Sequence, residues 1–534
     1  QSRPVTGLDS FTQEELLHEL DKCPPSELTF FTRANIGEVM PYGIRPLTVT
    51  FPMGAWSVTG YRMISPLLPH KPPFTPQVVI DFSYQKYHSL FSCTNSLLLS
   101  LDEDKKSVLT RSMEIGFFGR EIGTRPDLIE ASRGLPRAPR AFEGTRYMLY
   151  TWRLRLMPVR TVERELHVML QLRNDIKTLK LARGYESNKL LGLYNQMCAV
   201  MRYSECCWSN HIAVVTMATN SNIALSAILS KYIKDPKQLC AATNRFLAIS
   251  KDVVSAEIPK RVRKMAELVR AKGSDEARAF VGLSPDEALK YVVNGANDEN
   301  ENKNEPLRLA FEEFMAKFGH RSYNELELAA RAWRENPSKV AEMIQKNCAA
   351  LLEEKQTKED HRDKSIDDII KSLDLKLAFV DSLLIRKLVA PRCQLMLSLR
   401  EKTKNILVMF NDCLRESSRM LAKELVRQQR IPDEDLLYYV AFDELKPLVM
   451  DYQPAVVMQA VKRRQLFKRM FSEVWKFDEI FSEVVPNHMK PTKELDEAIA
   501  QAPKLYGTPA SSGKVQGRVC RVEGHKELDK VRPD

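Results

Sequence analysis

No stretch of this 534-residue chain reads as a membrane span, because its apolar runs are interrupted by polar residues. The most apolar run, HIAVVTMATNSNIALSAILSKYI from His211, is broken by Asn220, Ser221 and Asn222, so it reads as a buried core helix or helix pair and no membrane partner is expected. A cysteine framework is missing too. The ten cysteines follow no regular spacing, and the adjacent Cys206 and Cys207 have no second pair to complete a zinc clip. This excludes a disulfide-stapled scaffold, predicts a reduced cytoplasmic protein and gives no metal ligands. Basic charge is present, at a formal +11, but it lacks the company that nucleic-acid binding needs. KRVRK at Lys260 to Lys264 and KRRQLFKR at Lys462 to Arg469 are the only dense runs; both read as solvated helix faces, with no aromatic stacking platform, so nucleic acid is not expected as a partner. The first residue is Gln1, not Met, so a targeting signal is not visible.

What is there suits a multidomain globular body: 44 % hydrophobic and 28 % charged residues. From Val159 to Lys490 the apolar spacing is helical. PKRVRKMAELVRAKG places Val262, Met265, Ala266 and Val269 on one side, with Pro259 near its start and Gly273 at its end. Two long helices are expected next: Ser365 with Asp368 opens the first, and Arg392 to Arg430 carries Leu395, Leu399, Ile406, Phe410, Leu414, Leu421 and Leu425 in a stripe long enough to predict a long antiparallel helix pair. GANDENENKNEP, Gly295 to Pro306, reads as a surface loop. A capping box at Thr12 and Glu15 predicts a helix over Phe11 to Cys23. Between Pro52 and about Met157 the pattern changes: QVVIDFSYQKYHSLF and RYMLYTWRLRLM alternate with period two among prolines, predicting a few strands. The fold class is therefore mainly α, with some β in the N-terminal third.

The densest chemistry lies in FMAKFGHRSYNELELAARAWRENPSKV, Phe314 to Val340. Leu307, Ala310, Phe311, Phe314, Met315 and Phe318 form one face of a helix ended by Gly319, and Asn336 before Pro337 opens another whose stripe is Val340, Ile344, Cys348 and Leu351. Between them sit His320, Arg321, Glu325 and Glu327. These four have two readings. They cap the preceding helix and pair with one another, or they form a substrate-side cluster. In TRANIGEVMPYGIRPLT, Arg33 and Glu38 stand likewise between an exposed ion pair and a substrate-side role. Arg400 and Glu401 are either substrate groups or a helix-surface pair.

GHRSYNELELAARAWRENP resembles the Gly-His-Arg…Glu-x-Glu-Leu-Ala…Arg-Trp-x-Glu-x-Pro signature in the central domain of the phosphoenolpyruvate synthase and rifampicin phosphotransferase family of dikinase-type enzymes. Other segments are similar to that family in the same order. QSRPVT at Gln1 to Thr6 resembles the close of its ATP-grasp domain, and TRANIGEVMPYGIRPLT its linker. DVVSAEIPKRVRKMAELV, SLREKTKNIL and IPDEDLLYYVAFDEL resemble central-domain segments, although this chain has Arg427 to Arg430 where the family has a turn glycine. LYGTPASSGKVQGRVCRV, with Ser512 where proline is common, resembles the opening strand of the swivelling β/α phosphohistidine domain.

The resemblance implies a layout: residues 1–6 as the end of the ATP-grasp domain, 7–60 as a linker, 61–495 as a mostly helical acceptor-side domain, and 503–534 as the start of the phosphohistidine domain. It implies that Gln1 and Arg3 meet ATP, that the full-length protein uses ATP and magnesium, and that a phosphoryl group passes from ATP through a His to a small-molecule acceptor. None of the nine histidines lies in a glycine-rich loop beside a Thr and a Ser, so no carrier His and no catalytic residue is assigned. The expectation is a fragment that binds no nucleotide tightly alone, partnered by N- and C-terminal domains of the same polypeptide. The alternative is a non-catalytic helical ligand-binding protein or pseudoenzyme derived from the family.

Overall fold

The computed structural model describes residues 31–33, 36–56, 59, 82–85, 88–92, 108–118, 121, 130, 164, 167–171, 188–250, 253–294, 301–353, 365–470, 475–476 and 490–491. The chain divides into Gln1–Thr492 and Lys493–Asp534. The second unit, the expected helix at Phe11 to Cys23, and Gln1 and Arg3 lie outside the described residues.

The protein is mainly helical. Strands β1 (Phe31–Thr32), β2 (Phe82–Gln85) and β3 (His88–Ser92) form an antiparallel sheet in the order β1-β3-β2, with Phe31 opposite Ser92 and Phe82 opposite Phe91. Of these short strands, β2 and β3 coincide with the alternating stretch QVVIDFSYQKYHSLF, whereas β1 lies outside the stretches that alternation marks. The helices follow as α1 (Ile36–Val39), α2 (Pro46–Thr48, continued by a π-turn at Val49–Met53), α3 (Val108–Phe118), α4 (Lys189–Leu229), α5 (Pro236–Ala248), α6 (Val254–Arg270), α7 (Ser274–Gly282), α8 (Pro285–Asn294), α9 (Glu301–Phe318), α10 (Ser338–Glu353), α11 (Ile366–Ser372), α12 (Phe379–Leu384), α13 (Ala390–Arg427), α14 (Phe442–Met450) and α15 (Pro454–Met470).

The organising pair is α4 against α13. Lys189 Nζ reaches Glu424 at 3.0 Å, His211 Nδ1 meets Thr403 Oγ1 at 2.9 Å, and Leu225 and Leu229 share a core with Ala390 and Cys393. Rising numbers on one helix meet falling numbers on the other, so the two run antiparallel. The polar triplet at Asn220 does not break α4: Ser221 Oγ donates to Met217 O at 2.9 Å within the same helix, and Asn220 and Ser221 are buried. By length and composition α4 is long and apolar enough to cross a membrane. Its packing along α13, together with Ser226 Oγ 3.0 Å from Thr243 Oγ1 of α5 and Trp56 Nε1 donating to Ser204 at 3.0 Å, is that of a core helix.

Three apolar cores surround this pair. The first joins α1, α2 and Trp56 to α4, α13, α14 and α15; Met40, Ile44 and Leu47 are fully buried in it. The second is made by α6 to α10 with Trp333, and contains every residue of the Val262 and Val340 stripes. The third closes α4, α5, α11 and the start of α13. Ser365 caps α11 by accepting from Asp368 N at 3.1 Å, as its spacing predicts, but the helix it opens is 7 residues and not a long one: it ends at Ser372, with Asp374 in the left-handed region at φ 47°.

Four details depart from sequence expectation. Helix α9 begins at Glu301 and α6 at Val254, so Pro306 and Pro259 lie inside helices, and part of the polar stretch expected as a loop continues the amphipathic helix that follows it. Leu395 is 38 % exposed, because the buried residues there are Ala390, Cys393 and Met396, one position out of phase with it. The run KRRQLFKR is not a wholly solvated face: Arg463 is buried, donating to Tyr439 O at 3.0 Å and to Glu444 at 2.6 Å. After α13 the chain turns through Gln429 at φ 58°, the left-handed value that a turn glycine would take without strain.

Candidate functional site

The segment from Gly319 to Arg334 is an Ω-like loop strapped at its mouth. Arg334 N donates to Gly319 O at 2.9 Å and Trp333 N to Arg321 O at 2.8 Å, so the glycine and tryptophan ends of the motif lie side by side. Glycine is required at 319 because a Cβ there would run into Met315 O and come within 3.2 Å of Arg334 Cβ. Trp333 stacks on Phe314 with centroids 5.8 Å apart, pinning the loop to α9.

Helix α13 holds the loop from beneath through polar side chains on one face. Arg415 is fully buried and donates from Nε to Glu327 O at 3.0 Å, and from its terminal nitrogens to Ser322 Oγ at 2.9 Å, Asn324 O at 3.1 Å, His320 O at 3.4 Å and Glu325 O. Asn411 Nδ2 donates to Glu325 O at 2.9 Å. Asn405 Oδ1 accepts from His320 Nε2 at 3.2 Å and from Arg321 Nη1 at 3.3 Å. Arg334 pairs with Asp412 and Glu416, and Arg419 with Glu335. Burial pulls the Arg415 guanidinium down from its ordinary value, against the pull of Asp412, Glu325 and Glu327.

Each sequence-derived site residue can now be placed. His320, Arg321, Glu325 and Glu327 are all buried. Arg321 Nε lies 2.6 Å from Glu325 Oε1. Glu327 faces the other way, toward the α2 region: its Oε1 accepts from Thr48 Oγ1 at 3.0 Å and Ala329 N at 2.9 Å, and its Oε2 from Arg45 N at 3.0 Å. Thr48 Oγ1 in turn accepts from Leu328 N at 3.1 Å. The Arg45 guanidinium lies 3.7 Å from Glu327, donates to Tyr439 OH at 3.1 Å and covers the Phe467 ring at 5.2 Å. Arg33 belongs to neither group. It donates to Met40 O at 2.8 Å and Pro41 O at 3.2 Å, and burial lowers it to about 10. Glu38 lies in α1, and its side chain is outside the described residues. Gln1 and Arg3 lie outside them as well.

A second polar cluster sits where α13 crosses the middle of α4. Arg400 Nη2 donates to the buried Glu401 at 3.2 Å. Thr403 Oγ1 donates to Arg400 O at 2.9 Å and so uses its only proton. The His211 Nδ1 that meets it must therefore carry the hydrogen, which leaves the Nε2 lone pair available in the neutral ring. Burial lowers His211 to about 4, helped by Lys404 and Arg400, so the ring is neutral near pH 7. Among the described residues no group of three His, Cys, Asp or Glu side chains is placed to hold a metal ion.

Residues 210–401 match the family model for the rifampicin phosphotransferase fourth domain. The matched stretch, a little over a third of the chain, contains the strapped loop, α6 to α10 and the Arg400–Glu401 pair. No curated protein matches the chain.

Sequence reasoning missed Arg45, Thr48, Asn405, Asn411, Asp412, Arg415 and His211. A signal for the α13 group exists. Asn405, Asp412, Glu416 and Arg419 recur at three, four or seven positions, a polar stripe beside the apolar one. Arg415 belongs to the same stripe, four positions from both Asn411 and Arg419, but its role does not follow from that spacing, because most of its acceptors are backbone carbonyls.

Proposed function

We propose that this chain is the acceptor-side body of an ATP-dependent phosphotransferase of the phosphoenolpyruvate synthase and rifampicin phosphotransferase kind, in which a phosphoryl group passes from ATP through a His to a small acceptor. The observation that carries this reading is the match of residues 210–401 to a rifampicin phosphotransferase domain, over the same stretch that contains the Gly-His-Arg loop.

In this reading the strapped loop is scaffold and the α4–α13 crossing is the working surface. Arg400 and Lys404 neutralise charge on the transferring phosphoryl group, as cations do in such reactions. His211, neutral and hydrogen-bonded through Nδ1, presents Nε2 to take the proton of an acceptor hydroxyl. ATP and magnesium belong to the whole enzyme. Gln1 and Arg3, proposed to meet the nucleotide, lie outside the described residues, and the described ones offer no metal cluster.

The test is to extend the reading frame at both ends and incubate the protein with ATP labelled separately in the β and γ positions. The expected result is acid-labile label on a His from the β position. No label, with nucleotide and carrier domains intact and magnesium present, overturns the phosphotransferase reading and leaves a helical ligand-binding protein.

A further inference from the structure

Away from the loop and from His211, an open cleft of about 650 Å³ is lined by Ser250, Val253, Val254, Ala256, Glu257, Lys260, Lys317 and Lys402. Its three lysines come from three helices, α6, α9 and α13, that meet around it. One negative charge is already accounted for: the Glu257 carboxylate holds Lys317 Nζ at 2.6 Å and Arg261 Nε at 2.7 Å. Lys260 and Lys402 have no ion-pair partner among the described residues, so the cleft keeps an excess of positive charge.

Two further observations point inward. The wall of the cleft includes the start of α6, a 17-residue helix whose N-cap, Val253, has no side-chain oxygen to satisfy the first-turn N–H groups. Ser250 Oγ is buried and has no hydrogen-bond partner among the described residues. A buried hydroxyl left unsatisfied costs free energy unless something fills the space beside it. Val253, Val254 and Ala256 make part of the same wall apolar.

We propose that this cleft binds a small organophosphate, its phosphate held by Lys260, Lys402, Ser250 and the start of α6, and its apolar body against the valines. Lysine suits this task as a mobile point charge for a dianion, and a helix N-terminus adds oriented N–H donors. Lys402 lies between Arg400 and Lys404 in sequence, so the cleft borders the proposed phosphoryl-transfer surface, but the phosphate site is argued from its own lining and does not depend on that function.

Phenyl phosphate titrated calorimetrically into the whole chain tests it, with inorganic phosphate and phenol as controls. Saturable one-to-one binding is expected, tighter than for inorganic phosphate, with none for phenol, and weakened by added salt. Lys260→Gln with Lys402→Gln, both at exposed positions, weakens it about tenfold while the thermal transition is unchanged. Ser250→Ala gives a smaller loss in the same direction. Absence of saturable binding, or undiminished affinity in the double lysine variant, overturns the proposal. Label transfer to a His is a separate readout, so failure of either idea is distinguishable from failure of the other.

Discussion

Two clusters of charge on this molecule are arranged in opposite ways. Around Arg415 the guanidinium is buried and spread over loop carbonyls and a serine hydroxyl, and Glu327 nearby accepts from three donors. Around the cleft at the start of α6, two lysines stand unpaired among the described residues and a hydroxyl has no acceptor. A buried polar group is tolerated when its hydrogen bonds are complete, and then it fixes geometry. An incomplete one at an open cleft keeps its bonding capacity for a ligand. The comparison teaches that the most decorated segment of the sequence, the Gly-His-Arg loop, spends most of its polarity on its own fold, whereas unspent charge lies in part on Lys260, the start of a basic run that reads in the sequence as a solvated helix face.

The comparison breaks first at Arg415. Arg415→Met removes the charge and leaves the carbonyls of Glu327, Asn324 and Glu325, and Ser322 Oγ, without this donor in a buried site. A loss of about 4 kcal/mol is expected, read as a lower urea midpoint with unchanged slope. A loss below about 1 kcal/mol would show that the loop is held chiefly by Trp333 stacking on Phe314.

Acidification tests the α4–α13 crossing. His211 has its pKa lowered from 6.5 to about 4, so the unfolded chain binds a proton more readily than the folded one in that window. Stability is full above about pH 6.5 and falls by up to roughly 3 kcal/mol as pH drops to about 4. Glu424, held near 2 chiefly by Arg427, adds a separate loss beginning below its ordinary 4.5. His211→Gln should flatten the upper limb and leave the lower one. Denaturation midpoints at a series of pH values separate the two.

Thr48→Val probes the other side of the loop. The hydroxyl donates to Glu327 Oε1 and accepts from Leu328 N, so valine leaves a buried carboxylate short of one donor and a buried amide without this acceptor. About 2 kcal/mol is expected, smaller than at Arg415 because Ala329 N and Arg45 N still reach Glu327. Chemical denaturation of the single and double variants with Glu327→Gln gives the coupling between them.

Much of the helical frame was legible, because burial writes itself into spacing. The Val262, Leu307 and Val340 stripes are apolar at helical period and form the second core. Hydropathy could not decide whether Asn220 to Asn222 ends a helix, since the outcome depends on Ser221 bonding back to Met217 within the helix. The loop announced itself by composition, but its mode of attachment did not. Arg415 sits in a polar stretch of α13, but its partners are mostly backbone carbonyls, which no side-chain pattern reports. Likewise, Glu327 finds Arg45 and Thr48 across nearly three hundred positions, a pairing set by tertiary packing alone.

The smallest expected effect lies at the end of α13, where saturated bonding and strain coexist. Arg430 N donates to Leu425 O at 2.8 Å and Gln429 N to Val426 O at 2.9 Å, the bonding pattern of a helix closed by a left-handed residue. Gln429 occupies that position at φ 58°, where a side chain costs about 1 kcal/mol or more and glycine costs none. Gln429→Gly therefore relieves strain in the folded state while loosening the unfolded chain, and the two effects partly cancel. A gain of up to about 1 kcal/mol is expected, seen as a modestly higher melting temperature. Gln429→Ala keeps the strain and should give no such gain, so a rise in both variants would place the effect in the lost glutamine side chain instead of the backbone.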